Sequence, residues 1–172
     1  MNVLKFILTL LFATRGSALT GLVCAFAAVQ GGSFLGISSS LYLLGYVASL
    51  STKLADTFAS EIGKAYGKTT FLITTFESVA PGTEGAVSAE GSAASVVGGL
   101  LLAIAGYGLG LINLKGIAIA TVAAFLATNV ESLIGATLQE KKGFEFMTNE
   151  VVNFINTAIG AVLAIGAGQM LL

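Results

Sequence analysis

Apolar and polar positions alternate along this chain in blocks, not residue by residue. Residues 16–52, 92–114, 116–130 and 151–172 contain no charged side chain. Runs of this kind match the roughly 20 mostly apolar residues that a membrane-spanning helix requires. The pattern predicts five main helices, over about 16–30, 37–66, 92–112, 117–139 and 149–171, as one all-α polytopic membrane bundle occupying residues 1–172 as a single domain. Breaks fall where glycine and polar residues cluster: Gly31-Gly32-Ser33, a Gly-rich acidic loop over about 67–91 with the only proline, Asn113 to Gly116, and the charged stretch Glu140–Met147. Thr148 reads as an N-cap for the last helix. A short apolar N-terminal segment, Phe6–Ala13 between Lys5 and Arg15, is too short to span a bilayer alone and reads as the tail of a longer helix.

Composition agrees. Of 172 residues, 55% are hydrophobic and only 10% charged, against about 25% charged in a soluble domain. Histidine is absent, which removes histidine bases and histidine metal ligands. The single Cys24 lies in an apolar run and reads as a small packing residue. A net charge of −1 gives no electrostatic footprint for a nucleic acid. With one crossing per helix, Arg15, Lys64, Lys68, Lys141 and Lys142 fall on one side and Lys115 on the other, so the first side is expected to be cytoplasmic, or stromal in a plastid.

Against this background the polar residues inside the apolar blocks need a reason, because a charge at the bilayer centre costs roughly 2.5–3.5 kcal/mol on insertion scales. Asp56 and Glu61 precede the end of the second helix, and Asn129 and Glu131 the end of the fourth, by about 8–15 Å at the helical rise. Asn149, Asn153 and Asn156 follow i, i+4, i+7 spacing near the start of the fifth and share one stripe. Lys53, Asp56 and Ser60 share another. All three sets are expected at one depth, as a single polar pocket opening to the cytoplasm and walled by the second, fourth and fifth helices. Carboxylates and amide oxygens without histidine or thiolate suit a hard cation such as Mg²⁺, with Asp56, Glu61 and Glu131 as candidate ligands; the same acids could equally pair with Lys53 and Lys64 to fix helix packing. The asparagines suit either interhelical hydrogen bonding or a phosphate at a helix N-terminus. Closely spaced glycines around Thr83 and Glu84, in Pro81-Gly-Thr-Glu-Gly85, would let backbone N–H groups approach a phosphate. Gly63-Lys-Ala-Tyr-Gly-Lys-Thr69 is one residue short of a P-loop and lacks a preceding strand, yet Lys64 and Lys68 remain candidate phosphate-binding cations.

Several of these segments together carry a resemblance. Lys53-Leu-Ala-Asp-Thr-Phe-Ala-Ser-Glu-Ile-Gly-Lys64, Thr70-Phe-Leu-Ile-Thr-Thr75, Pro81-Gly-Thr-Glu-Gly-Ala-Val-Ser88, Asn129-Val-Glu-Ser132, Ile134-Gly-Ala136 and Thr148-Asn-Glu-Val-Val-Asn153 resemble the transmembrane-protein-19-like membrane proteins. Their plant and cyanobacterial branch includes the phytyl-phosphate kinases of tocopherol synthesis. The resemblance implies an integral membrane kinase that moves a phosphoryl group from a nucleoside triphosphate to an isoprenyl monophosphate in a plastid (thylakoid or envelope) or cyanobacterial membrane. It implies Asp56, Glu61, Glu84 and Glu131 for metal and phosphate handling, with Lys64 and Lys68 on phosphates. A non-catalytic subunit of a larger photosynthetic membrane complex is the alternative, favoured by the short segment before the match and by Ala80-Pro81-Gly82 where an arginine would otherwise clamp phosphate. A cation-coupled transporter is a weaker reading, for want of an inverted repeat.

Overall fold

The computed structural model describes residues 17–30, 33–139, 143–144 and 146–172. Lys5, Arg15, Lys141 and Lys142, and the N-terminal apolar segment, lie outside the described residues. Among the described residues five helices form the bundle: α1 (Ser17–Val29), α2 (Ser39–Tyr66), α3 (Ala89–Gly108), α4 (Leu114–Thr137) and α5 (Asn149–Leu171). Helices α3, α4 and α5 are each long and apolar enough to cross a membrane. α2 is longer still, at 28 residues, but its second half carries Lys53, Asp56, Glu61 and Lys64. α1 is apolar and short, and by itself falls below the roughly 30 Å of a hydrocarbon core.

Two hairpins join what the hydropathy pattern treats as plain loops. β1 (Ser33–Phe34) and β2 (Ile37–Ser38) connect α1 to α2 through Leu35 and Gly36, both at positive φ. This is the backbone that a two-residue hairpin turn with the strands' own twist demands. β3 (Thr70–Leu72) pairs antiparallel with β4 (Ala86–Ser88), Thr70 opposite Ser88 and Leu72 opposite Ala86. This second hairpin lies between α2 and α3.

Chain direction places the end of α2, the start of α3, the end of α4 and the start of α5 at one end of the bundle. Lys53 reaches Asn153 across α2 and α5 near that end. At the other end Lys115, in the first turn of α4, donates to the Leu171 carbonyl at 3.2 Å. α2 is the hub and packs on α3, α4 and α5. Between the ends sits a core of Leu44, Val47, Ala48, Ala103, Ile119, Ala120, Ala123 and Ala164. Its alanines, with glycines facing α2, let the helix backbones approach closely, which is how spans associate when lipid is as apolar as the helix surface. The large residues point outward: Val97, Leu101, Val122 and Val162 are half exposed or more, as surfaces solvated by acyl chains should be.

Gly160 marks the tightest of these contacts. A Cβ there would lie 2.0 Å from Thr52 Oγ1 and 3.1 Å from Thr52 Cβ. Gly160→Val is therefore expected to wedge α5 from α2 and destabilise the bundle by about 1–3 kcal/mol. Gly166→Val, where nothing lies within 4 Å, should leave thermal unfolding in detergent micelles nearly unchanged; equal melting temperatures for the two variants would refute the packing argument.

Candidate functional site

The second half of α2 has a polar stripe at i, i+3, i+4, i+7, i+8 and i+11: Lys53, Asp56, Thr57, Ser60, Glu61 and Lys64. All six line one cavity of about 360 Å³ at the α2 C-terminal end of the bundle. α4 contributes Asn129, Glu131 and Ser132, and α5 contributes Asn149 and Asn153. The loop before β4 adds Thr83 and Glu84 from above. The common depth expected for the acids and amides of three helices is thus present for all the sequence-predicted pocket residues but Lys68 and Asn156, which do not line this cavity. Lys68 is exposed and does not line it, because the chain turns away from the helix axis at Gly67, whose φ of −61° and ψ of 113° end α2 in extended backbone.

Within the cavity Lys53 is the organising cation. Its Nζ donates to Asp56 Oδ2 at 3.1 Å on its own helix and to Asn153 Oδ1 at 2.5 Å across to α5. Asn153 sends its amide N–H back to the Asn149 carbonyl at 2.8 Å, which turns the oxygen toward Lys53. Asn129 anchors in the same way, donating to the Phe125 carbonyl at 2.7 Å. Asp56 is the better shielded partner, its side chain 15% exposed against 38% for Lys53. Glu131 sits within electrostatic reach of Asp56, Glu84 and Lys53. Farther out, Lys64 and Glu61 pair at 3.9 Å with more than half of each side chain exposed, a contact worth little in stability.

The cavity is therefore acidic. Among the described residues that line it, Asp56, Glu61, Glu84 and Glu131 outnumber the cations Lys53 and Lys64, so a phosphate ester entering it would need a cation with it. Among the described residues no group of three acidic or thiol side chains comes close enough to form a ready-made metal cage, so Asp56, Glu61 and Glu131 are not gathered into one coordination sphere. Mg²⁺ does not require that: it takes one or two carboxylates and completes its shell with water and substrate phosphate. Asp56 and Glu131, with amide and hydroxyl oxygens beside them, fit that demand.

Sequence reasoning missed the α3 wall. Ser92 and Ser95 line the cavity with Ser88, and Ser88 also caps α3, accepting from the Gly91 N–H at 3.1 Å. The signal was available, since Ser88, Ser92 and Ser95 stand at i, i+4, i+7, the same stripe logic that grouped the asparagines. Asn156 ends elsewhere than its spacing suggests. It shares the stripe of Asn149 and Asn153 but is wholly buried one turn deeper, outside the cavity lining, with neither amide atom paired.

The sequence pattern of the integral membrane protein family DUF92 matches residues 12–161. The chain belongs to this family. An uncharacterised membrane protein of Synechocystis is 60% identical over 88% of this chain and 57% of its own length. Protein VTE6 of Arabidopsis thaliana, described as chloroplastic, is 46% identical over 91% of this chain and 47% of its own. An uncharacterised membrane protein of Methanocaldococcus jannaschii is 37% identical over 72% of this chain and 50% of its own. The chain thus spans about half the length of the curated relatives it matches. No solved structure matches. Membership of this family makes the chain an integral membrane protein, as its helices suggest, with relatives in a cyanobacterium and in a chloroplast.

Proposed function

We propose that this DUF92 protein is a lipid-phosphate kinase that transfers a phosphoryl group from a nucleoside triphosphate to an isoprenyl monophosphate, phytyl phosphate in a tocopherol-forming membrane of a plastid or cyanobacterium. The observation that carries the reading is the acidic cavity at one end of a membrane bundle, with Lys53 held at its floor between Asp56 and Asn153. A polar site opening from apolar helices suits a substrate with a charged head and a hydrocarbon tail. The chloroplast location of the VTE6 relative supports this choice of membrane.

The reaction asks little acid–base chemistry of the protein. A monophosphate oxygen is already ionised near neutral pH, so no general base has to create the nucleophile, and the lack of histidine is no obstacle. That oxygen bonds to the γ-phosphorus, the bond to the bridging β–γ oxygen breaks, and the nucleoside diphosphate leaves with that electron pair. What has to be overcome is repulsion between two anions, so catalysis is positioning and charge neutralisation. Lys53 supplies a positive charge at fixed depth, its direction set by Asn153. Lys64, half exposed at the mouth, is free to swing onto the nucleotide phosphates. Asn129 and Asn149 offer polar contacts at the same level. Asp56 and Glu131 would hold Mg²⁺, which would supply the charge neutralisation that nucleotide chemistry requires.

The deciding experiment offers phytyl phosphate and Mg²⁺ with each common nucleoside triphosphate to the protein in lipid nanodiscs, with products followed by phosphorus NMR. Phytyl diphosphate and nucleoside diphosphate should accumulate in equal amounts. Absence of diphosphate with every nucleotide would count for the alternative, a non-catalytic membrane subunit.

A further inference from the structure

We propose that the tip of the hairpin ahead of the Thr83–Glu84 loop, residues 73–76, is an interfacial anchor seated in the headgroup zone of the bilayer. The tip is closed by three backbone hydrogen bonds: Leu72 N–H to the Glu77 carbonyl (3.0 Å), Phe76 N–H to the Leu72 carbonyl (2.9 Å) and Val79 N–H to the Thr70 carbonyl (3.0 Å). Phe76 holds φ +58° there, a left-handed backbone that glycine or asparagine would adopt more readily than a bulky residue. Phe76 is 74% exposed, and its ring stacks on Phe71 at 5.7 Å. An aromatic side chain in a backbone that disfavours it, standing free of the protein's own core, points to a partner outside the chain.

The bilayer interface is the partner that fits. The hairpin leaves α2 and returns to α3 at the end of the bundle where the cavity opens. Exposed aromatics gather at that same end: Tyr66 closes α2, and Phe146 precedes α5, exposed by 68% and 64%. Aromatic side chains concentrate where a bilayer meets water. The tip also connects to the site. Ile73 N–H donates to the Gly85 carbonyl at 3.1 Å, and Gly85 follows Glu84 directly. A tip fixed in the headgroup zone would set the height of the loop above the cavity floor. This inference depends on membrane insertion alone and stands or falls separately from the proposed reaction.

The chain contains no tryptophan, so Phe76→Trp gives a single fluorescent reporter. The variant is reconstituted in phosphatidylcholine vesicles whose acyl chains carry bromine either near the headgroup or near the chain end. Leu101→Trp, on the lipid-exposed face of α3, serves as the deep reference. For Phe76→Trp, headgroup-proximal bromine should quench roughly half the fluorescence and chain-end bromine far less, the reverse of the Leu101→Trp pattern. Emission quenched by neither lipid but fully by aqueous iodide would overturn the proposal by placing the tip in water. Emission shielded from both lipid bromine and iodide would overturn it in favour of a protein contact. Cleavage after Glu77 by a glutamate-specific protease gives a second measurement. It should run several-fold faster for Phe76→Ser than for the unsubstituted protein in vesicles, and at equal rates in detergent; equal rates in vesicles would also overturn the anchor.

Discussion

Asp56→Asn is expected to lower phytyl diphosphate formation about 10²–10³-fold, the scale seen when one preorganised electrostatic contact to a transition state is removed. Glu131→Gln should do the same. Both substitutions are isosteric and neutral, so they test charge and not shape. In Asp56→Asn the ammonium of Lys53 keeps its contact with Asn153 across to α5, and the α2–α5 packing at Thr52 and Gly160 is untouched. Thermal unfolding should therefore change little while turnover collapses. The Mg²⁺ concentration for half-maximal rate should rise in both variants, because each removes one of four carboxylates from the cavity, and the two effects should be far from additive if the acids share one ion. Glu150→Gln is the matched control: Glu150 stands in the first turn of α5 and does not line the cavity. Full activity in both site variants would remove these acids from the mechanism, even if the protein proved to be a kinase.

Why these residues could be picked out of the sequence is itself physical. Lipid gives no reason to retain a carboxylate or amide in a span, so polar residues inside apolar blocks stand out sharply, and their depth follows from the helical rise alone. That is why Asp56, Glu131 and Asn153 were expected at one level and are found lining one cavity. The same contrast made the helices legible by type and order. It failed at the starts of α3 and α4. Glu90 made the first turn of α3 look like loop, yet an acid there is favoured by the helix dipole and Ser88 caps the end. Asn113 looked like a turn residue and is the cap of α4, accepting from the Gly116 N–H at 2.9 Å. The β3–β4 hairpin left no period to read, since its three-residue strands fall short of the roughly 4–8 residues over which alternation can be recognised. Lys68 was grouped with Lys64 by spacing, but the spacing ceases to mean anything once α2 ends at Tyr66.

Gly85→Ala should lower activity far more than it lowers stability. Gly85 has φ +75°, a region that costs an alanine roughly 1–2 kcal/mol. Strain is the smaller part. A Cβ at this position would lie 2.3 Å from Ala136 Cβ and 2.6 Å from the Ala136 backbone nitrogen. The obstacle is the wall of α4 itself, so the loop has to retreat and not the helix. Retreat carries Glu84 with it, because the two are adjacent and Glu84 Oε2 lies close over Gly135. The Ile73–Gly85 hydrogen bond should weaken at the same time. A displacement of about 1 Å in a positioning group can lower a rate on the order of 10²-fold, and a loss of that size is expected here. The bundle core draws on α2 to α5 and not on this loop, so the melting temperature should fall far less than in Gly160→Val. Gly82→Ala separates the two causes. Its φ is +89°, but its nearest neighbours are the flexible carbons of Lys64 at 3.8 Å, leaving strain without overlap, and most of the activity should survive. If Gly85→Ala turned over as fast as Gly82→Ala, the Thr83–Glu84 loop would have no part in phosphate handling, and the site would shrink to the helices alone.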